Sequence, residues 1–356
     1  MAIEDKLGRF SFKGDKIVLI LTILLSLISI YAVYSSTGSV LAHFFHLGLC
    51  FAGMFAFYYI DYSTLSKFSL LCLLLAAALL VITLLSGGSA NRGISLFGVQ
   101  VQTFYFIGFL VIFYISKFLA VRIVKDEALS LKETLYIFGV VVAFSGGMAL
   151  TNMSTAIIFF ITSLVVLFIG NVKLRYLSVL MGIALIGVLL YMNTGIGRGS
   201  TFKNRWEYYI TNNNDHGYGD QMILAKAAIA RSGLTPAGPG QGVIKHRLPE
   251  SETDYVYATV FEEMGAGVGI LILFFYLVLF YRAWKIAQNS EGPFGMLLAM
   301  GIGFWFSCQG LVHIGVNCEL LPATGQTLPF ISRGGASLLF SGIAVGILLN
   351  ISKQKA

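Results

Sequence analysis

The sequence predicts an all-α polytopic membrane protein with about ten transmembrane helices and one large extracytoplasmic loop between the seventh and eighth. Three observations carry this prediction. Hydrophobic residues make up 57% of the chain and charged residues 12%, whereas an average soluble domain carries roughly 25% charge. Apolar runs close to the ~20 residues that a spanning helix needs recur from Ile17 to Ser352. Basic residues alternate in density from loop to loop.

The runs fall at 17–36, 41–60, 68–86, 99–120, 134–150, 155–170, 177–193, 255–281, 294–317 and 334–352. Ahead of the first, residues 1–16 mix Lys6, Arg9 and Lys13 with Glu4, Asp5 and Asp15 and show no cleavage pattern. The first run is therefore expected to stay as a helix behind a cytoplasmic tail. The fourth run is unusually polar, with Gln100 and Gln102 near its start, and the short fifth and sixth runs part at Asn152. No repeat of solenoid or inverted-transporter type is visible, so 1–356 reads as a single integral-membrane domain.

With ten spans, both termini lie on one side. That side collects fifteen of the 24 basic residues, among them Lys67, Lys117, Arg122, Lys125, Lys173 and Arg282, with at least one in each short loop. Such a bias places the termini in the cytoplasm. The net charge of +7 then reflects topology and anionic lipid, and nucleic acid is not an expected partner. Cys50, Cys72, Cys308 and Cys318 all lie in apolar runs, at spacings that fit neither a zinc nor a redox motif, and read as packing residues.

Residues 194–254 form the one long connection, on the outer face. A loop of that length in a compact membrane domain is more often functional than idle. Within it, Gln221–Ser232 is rich in helix formers and carries Lys226 and Arg231, which predicts a short interfacial helix. A Gly/Pro run from Gly233 to Gly242 follows, whose amides are suited either to cradling an anion or to a plain turn. Lys245, His246 and Arg247 then precede the acidic step Glu250-Ser251-Glu252-Thr253-Asp254. Glu262 and Glu263 come ~12 Å further along the next helix, at about 1.5 Å per residue. Acids at that depth are expensive and are usually kept for a purpose. These residues make Asp254 a candidate general base, with Glu250 and Glu262 beside it.

A second outer loop, 318–333, joins the ninth and tenth runs through Pro322, Thr324, Gly325, Gln326, Pro329, Ser332 and Arg333, with Ser337 just inside the next helix. Its prolines and glycines predict a rigid re-entrant element, which at membrane depth must line protein or a wet cavity. Arg333 ahead of a helix N-terminus suits a phosphate. Arg92, between Asn91 and Gly93 in another outer loop, is a further cationic candidate. The chain has no Walker A motif, dinucleotide fingerprint or zinc-protease pattern. Substrates are therefore expected from the membrane itself, and polyprenyl-linked sugars fit an outer cavity with a base and cations.

Three blocks of residues resemble the SEDS (shape, elongation, division and sporulation) family of peptidoglycan polymerases, the FtsW/RodA-like proteins. Pro322–Ser337 is similar to the family's P-x-T-G-x-x-L-P-x-x-S-x-G-G-x-S loop. Leu248-Pro249-Glu250 through Asp254-Tyr255, followed by Phe261-Glu262-Glu263-Met264-Gly265, looks like its acidic block. Gly217–Gln221, with Ala225-Lys226 and the Gly233–Gly242 stretch, forms the third, and the opening Phe12–Lys16 and Tyr34-Ser35-Ser36 look similar too. The opening block and the Gly-Pro-Gly stretch lean toward the FtsW side.

The resemblance implies an outer-face, inverting glycosyltransferase of the bacterial cytoplasmic membrane that joins lipid II into glycan strands. The family's catalytic aspartate carries over onto Asp254. Substrate contacts are expected from Arg92, Lys226, Lys245, Arg247, Glu250, Glu262, Thr324, Gln326, Ser332, Arg333 and Ser337. The implied partners are a class B penicillin-binding transpeptidase, engaged through its single membrane helix, and other division or elongation proteins. No protein metal site is expected, although a divalent cation, Mg or Mn, could assist the leaving group. Two other function classes fit the same blocks: a lipid II flippase, and a non-catalytic scaffold seating a partner helix at the Gly265–Gly269 or Gly342–Gly346 spacing. The sequence departs from the family pattern around the fourth run. Arg92-Gly93 stands for Arg-Trp, Gln102-Thr103-Phe104-Tyr105 for Gln-Pro-Ser-Glu, and Ile107-Gly108 lies where a lysine is usual. His313 replaces an asparagine in the ninth run.

Overall fold

The computed structural model describes residues 12–86, 94–96, 99–194, 199–211, 219–233, 236–238 and 240–353. Among the described residues nine helices are long and apolar enough to cross a membrane, and Met153–Ile169 is a shorter apolar tenth. In chain order the first seven of these ten are α1 (Lys16–Thr37), α2 (Leu41–Tyr59), α4 (Ser69–Ser86), α5 (Phe104–Val124), α6 (Leu131–Ala149), α7 (Met153–Ile169) and α8 (Leu174–Thr194). The last three are α11 (Val256–Gln288), α12 (Pro293–Asn317) and α13 (Gly335–Ser352). Short α3 (Tyr62–Ser66) links α2 to α4, and α9 (Gly199–Thr211) and α10 (Asp220–Arg231) lie in the long loop. The chain is a multi-pass membrane protein.

Local chemistry explains the boundaries. Asp15 caps α1 by accepting from the amides of Ile17 and Val18 at 3.0 and 3.1 Å, which satisfies donors that the helix cannot. Gly38 closes it in the left-handed region, φ 70°, with its N–H on the Tyr34 carbonyl. Ser130 and Glu133 form a reciprocal capping box at α6. The Asn152 side chain accepts from the Thr155 amide at 3.1 Å to start α7, and Pro293 sits in the first turn of α12.

One expected span is shifted. The fourth run was expected to begin at 99, but its helix starts at Phe104, behind an antiparallel hairpin of β1 (Ile94–Leu96) and β2 (Val99–Val101) that pairs Ile94 with Val101. The polar stretch at Gln100 satisfies its backbone by strand pairing instead of entering the bundle. The Gln221–Ser232 helix is present as α10. Helix α9 was not anticipated. Its signal was the aromatic spacing Phe202, Trp206, Tyr209, whose rings lie 6.2 and 6.0 Å apart in succession.

Helices α5, α12 and α13 are the most enclosed, whereas α4 and α8 face mostly outward. Two glycines let α13 lie against the backbone of α2. A Cβ at Gly342 or Gly346 would sit 2.0 Å from the Cys50 carbonyl oxygen or 2.3 Å from that of Met54. The Gly342–Gly346 spacing is thus used inside the chain. Gly265, at φ 83°, breaks α11 near its start. The interior of the bundle beside α13 is aromatic. Phe340 has Tyr105, Phe106, Phe109, Trp305 and Phe306 around it, with ring centroids 5.7 to 6.2 Å away. Trp305 fits there because residue 108 is glycine, where a Cβ would come 2.4 Å from its ring.

Candidate active site

Asp254 lies in the tight turn that delivers the chain into α11. Glu250 adopts a left-handed conformation, φ 58°, and its carbonyl accepts from the amides of Thr253 and Tyr255, both at 3.1 Å. Asp254 is half-buried. Its carbonyl accepts from Asn317 Nδ2 at 3.3 Å, and Asn317 Oδ1 takes the Ala258 amide at 3.0 Å. One fully buried asparagine at the end of α12 therefore holds both the base candidate's backbone and the first turn of α11.

The other side of the turn is fixed by the 318–333 loop. Ser332 Oγ donates to the Thr253 carbonyl at 2.7 Å, and the Arg333 amide donates to the Glu252 carbonyl at 2.8 Å. Arg333 Nη1 stands 3.4 Å from Glu252 Oε1, with both side chains partly exposed. A pair that long and wet is worth under ~1 kcal/mol, so the guanidinium is free to exchange partners. Behind it, Ser29 Oγ donates to the Ile331 carbonyl at 2.7 Å and lies 2.7 Å from His43 Nε2. The serine has one proton, so His43 carries its own on Nε2.

The loop is anchored along its whole length. His313 Nδ1 donates to the Gln326 carbonyl at 2.7 Å, Gln326 Nε2 donates to Thr155 Oγ1 at 2.8 Å, and Ser154 Oγ donates to the Thr324 carbonyl at 3.2 Å. Gln309 Nε2 reaches the Thr327 carbonyl at 2.8 Å, and the Tyr105 hydroxyl lies 2.9 Å from Thr327 Oγ1. Tyr105 and His313, two of the departures from the family pattern, are thus working parts of the loop's support. Ser337 Oγ bonds the Gly334 carbonyl at 3.1 Å, in the first turn of α13. The structure brings together Asp254, Glu250, Ser332 and Arg333, and ties Gln326 and Thr324 to the same loop.

The remaining candidates go elsewhere. Lys245 and Glu263 form a fully buried ion pair at 2.6 Å, and the ammonium also donates to Ser35 at the end of α1, at 2.7 Å to Oγ and 2.9 Å to the carbonyl. Glu262 Oε1 accepts from the amides of Val243 and Ile244 at 3.0 and 3.1 Å, and Glu263 Oε1 from that of Gly242 at 3.2 Å. The last residue of the Gly/Pro run and the two residues after it do hold anions, and the anions are the protein's own carboxylates. Lys226 pairs with Glu319 at 2.6 Å on the exposed rim. Arg247 is exposed. Arg92 and Gly93 lie outside the described residues. Among the described residues no cluster of three or more His, Cys, Asp or Glu side chains could hold a metal ion.

Sequence reasoning passed over two parts of this arrangement. Asn317, the clamp on Asp254, reads as one polar residue at a helix end. Arg205 of α9 donates to the Ala323 carbonyl at 3.1 Å, and its helix was not anticipated.

This is a polytopic membrane protein whose 194–254 and 318–333 loops meet at a half-buried aspartate. A family model described as a cell cycle protein, covering FtsW, RodA and SpoVE, matches residues 14–356, and the chain belongs to that family. It is 31% identical over 361 residues to stage V sporulation protein E of Bacillus subtilis, covering 95% of this chain and 97% of that protein. It is 36% identical over 210 residues to a "Probable peptidoglycan glycosyltransferase FtsW" of Dichelobacter nodosus, covering 57% of this chain and 51% of that one. Its fold matches a chain of a peptidoglycan synthase complex that coordinates polymerisation and crosslinking, with a TM-score of 0.77 at 19% identity, over 96% of this chain and 99% of the other.

Proposed function

We propose that this chain is a peptidoglycan glycosyltransferase that polymerises lipid II on the outer face of the bacterial cytoplasmic membrane, with both termini in the cytoplasm. The observation that carries the reading is the seam at Asp254. The turn holding the carboxylate is hydrogen-bonded from one side by Asn317 and from the other by Ser332 and Arg333. A base fixed in this way needs little reorganisation when the reaction begins.

In the proposed reaction, Asp254 accepts the proton of the acceptor sugar's 4-hydroxyl. That oxygen attacks the anomeric carbon of the lipid-linked donor from the face opposite the pyrophosphate and inverts it. The bond to undecaprenyl pyrophosphate breaks, and its charge is met by Arg333, which gives up only a weak partner in Glu252. Thr324, Gln326 and Ser337 act by shaping the loop that carries Arg333. Lys245 and Glu262 hold the long loop to α11. A class B penicillin-binding transpeptidase is the proposed partner, supported by the likeness to a chain of a synthase complex. The relatives' names favour a role in division or sporulation. The aromatic rings packed around Phe340 fill that part of the bundle with apolar surface, which weighs against a flippase.

The test is lipid II polymerisation by the purified protein, with and without a class B partner. The native chain should make glycan strands, and Asp254→Asn should make none while keeping its melting temperature. Equal polymerisation by that variant would sink the assignment of the base, and lipid II translocation that survives the same substitution would favour a transporter.

A further inference from the structure

At the end of the bundle remote from Asp254, the residues just ahead of α1 and the ends of α11 and α13 line an open cleft of about 200 Å³. The separation is large, since α1 has 22 residues and spans about 33 Å at 1.5 Å per residue. The lining includes Asp15, Arg282, Lys285, Asn289 and Ser352. Arg282 Nε donates to Asp15 Oδ2 at 2.9 Å, and the Asp15 amide donates to Ser352 Oγ at 2.9 Å. One carboxylate therefore serves one guanidinium, and Lys285 adds a second positive charge to the same wall.

Two details place a bilayer against this cavity. Lys285 Nζ lies 5.8 and 5.7 Å from the ring centroids of Tyr281 and Trp284, an aromatic and cationic grouping typical of the membrane–water interface. Those rings continue an exposed stripe down α11 through Phe274 and Leu277, at helical spacing along one face. The stripe ends at the cavity rim, so a chain lying along it brings its headgroup to Lys285.

We propose that this cavity binds the phosphate of an anionic phospholipid, with Lys285 as the charge contact, Asn289 and Ser352 as polar lining, and the acyl chains along Phe274, Leu277, Tyr281 and Trp284. Basic pockets between helices at the membrane surface suit such headgroups. The site is separate from the catalytic reading and stands or falls without it.

The experiment is native mass spectrometry of the full chain released from nanodiscs of mixed phosphatidylglycerol and phosphatidylcholine. Retained phosphatidylglycerol is compared for the native chain, Lys285→Gln, Asn289→Asp and the exposed control Lys132→Gln. Loss of one interfacial lysine corresponds to about a five-fold fall in retention, from ~1 kcal/mol per basic residue. Lys285→Gln and Asn289→Asp should both show that fall, and Lys132→Gln should match the native chain. Unchanged retention in both pocket variants, or an equal fall in the control, would overturn the site. A melting shift produced by inorganic phosphate alone, equal to that from phosphatidylglycerol, would overturn the lipid as occupant.

Discussion

Ser332 donates its hydroxyl to the carbonyl of Thr253 at 2.7 Å, while the same oxygen accepts from the Leu328 amide, also at 2.7 Å. A single side chain thereby closes its own loop and clasps the turn that ends at Asp254. The two loops are about eighty residues apart in sequence, and this clasp lets them act as one surface.

Ser332→Ala leaves a buried amide and a part-buried carbonyl without this partner. The expected cost is about 1–3 kcal/mol of stability, read as a lower melting temperature. Polymerisation should fall further than the lost folded fraction explains, because Asp254 loses its register. Ser332→Thr, which keeps the hydroxyl, should recover most of the activity.

The Lys245–Glu263 pair makes a different prediction. Removing one partner strands a buried charge, so Lys245→Met should destabilise by about 3–5 kcal/mol. Lys245→Met combined with Glu263→Gln should cost clearly less than the sum of the two single changes. Additive effects in that thermal double-mutant cycle would show that the two side chains do not act as a pair.

Lys226 carries a pH prediction. Hydrogen bonding and opposite charge from Glu319 raise its pKa above the usual lysine value. Its contribution to stability is then fully present below the unfolded lysine value of ~10.4 and is lost as pH rises through the folded value. The melting temperature of the native chain should fall more than that of Lys226→Gln on raising pH across this range. Parallel curves for the two would contradict the pairing.

Helix contact between α2 and α13 depends on close backbone approach at Gly342 and Gly346. Either glycine replaced by leucine should prevent folding or oligomerise the protein in detergent, because the new side chain would run into the carbonyl of Cys50 or Met54. Gly187→Leu, on outward-facing α8 where a Cβ meets no neighbour within 4 Å, should leave size-exclusion behaviour and melting unchanged.

Much of this was readable from the residues one by one. Span number follows from the length of apolar runs, because an unpaired backbone in lipid forces each segment into a complete helix. The Pro322–Ser337 loop and the acidic step at Asp254 were visible because proline, glycine and charge stand out against an apolar background. Hidden were the pairings. Glu262 and Lys245 read as substrate contacts, but Glu262 accepts from the chain's own amides and Lys245 pairs with Glu263 and Ser35. The Gly/Pro run showed an anion cradle without showing which anion. Asn317 gave no signal, because its importance lies in bonding Asp254 and Ala258 at once.

By itself, then, the sequence determined that the chain lives in a membrane, how many apolar helices it has and roughly where most of them lie, and which two loops hold the polar chemistry. These depend on hydrophobicity, caps and turn residues, which act over a few neighbours along the chain. Tertiary structure decided which charges neutralise one another and which remain for a substrate. It buried Glu263 on Lys245, left Arg333 with a weak partner, and filled the interior beside Gly108 with Trp305. Those outcomes depend on which helices pack together, and a hydrogen bond or ion pair between residues far apart in sequence leaves no periodic trace in it.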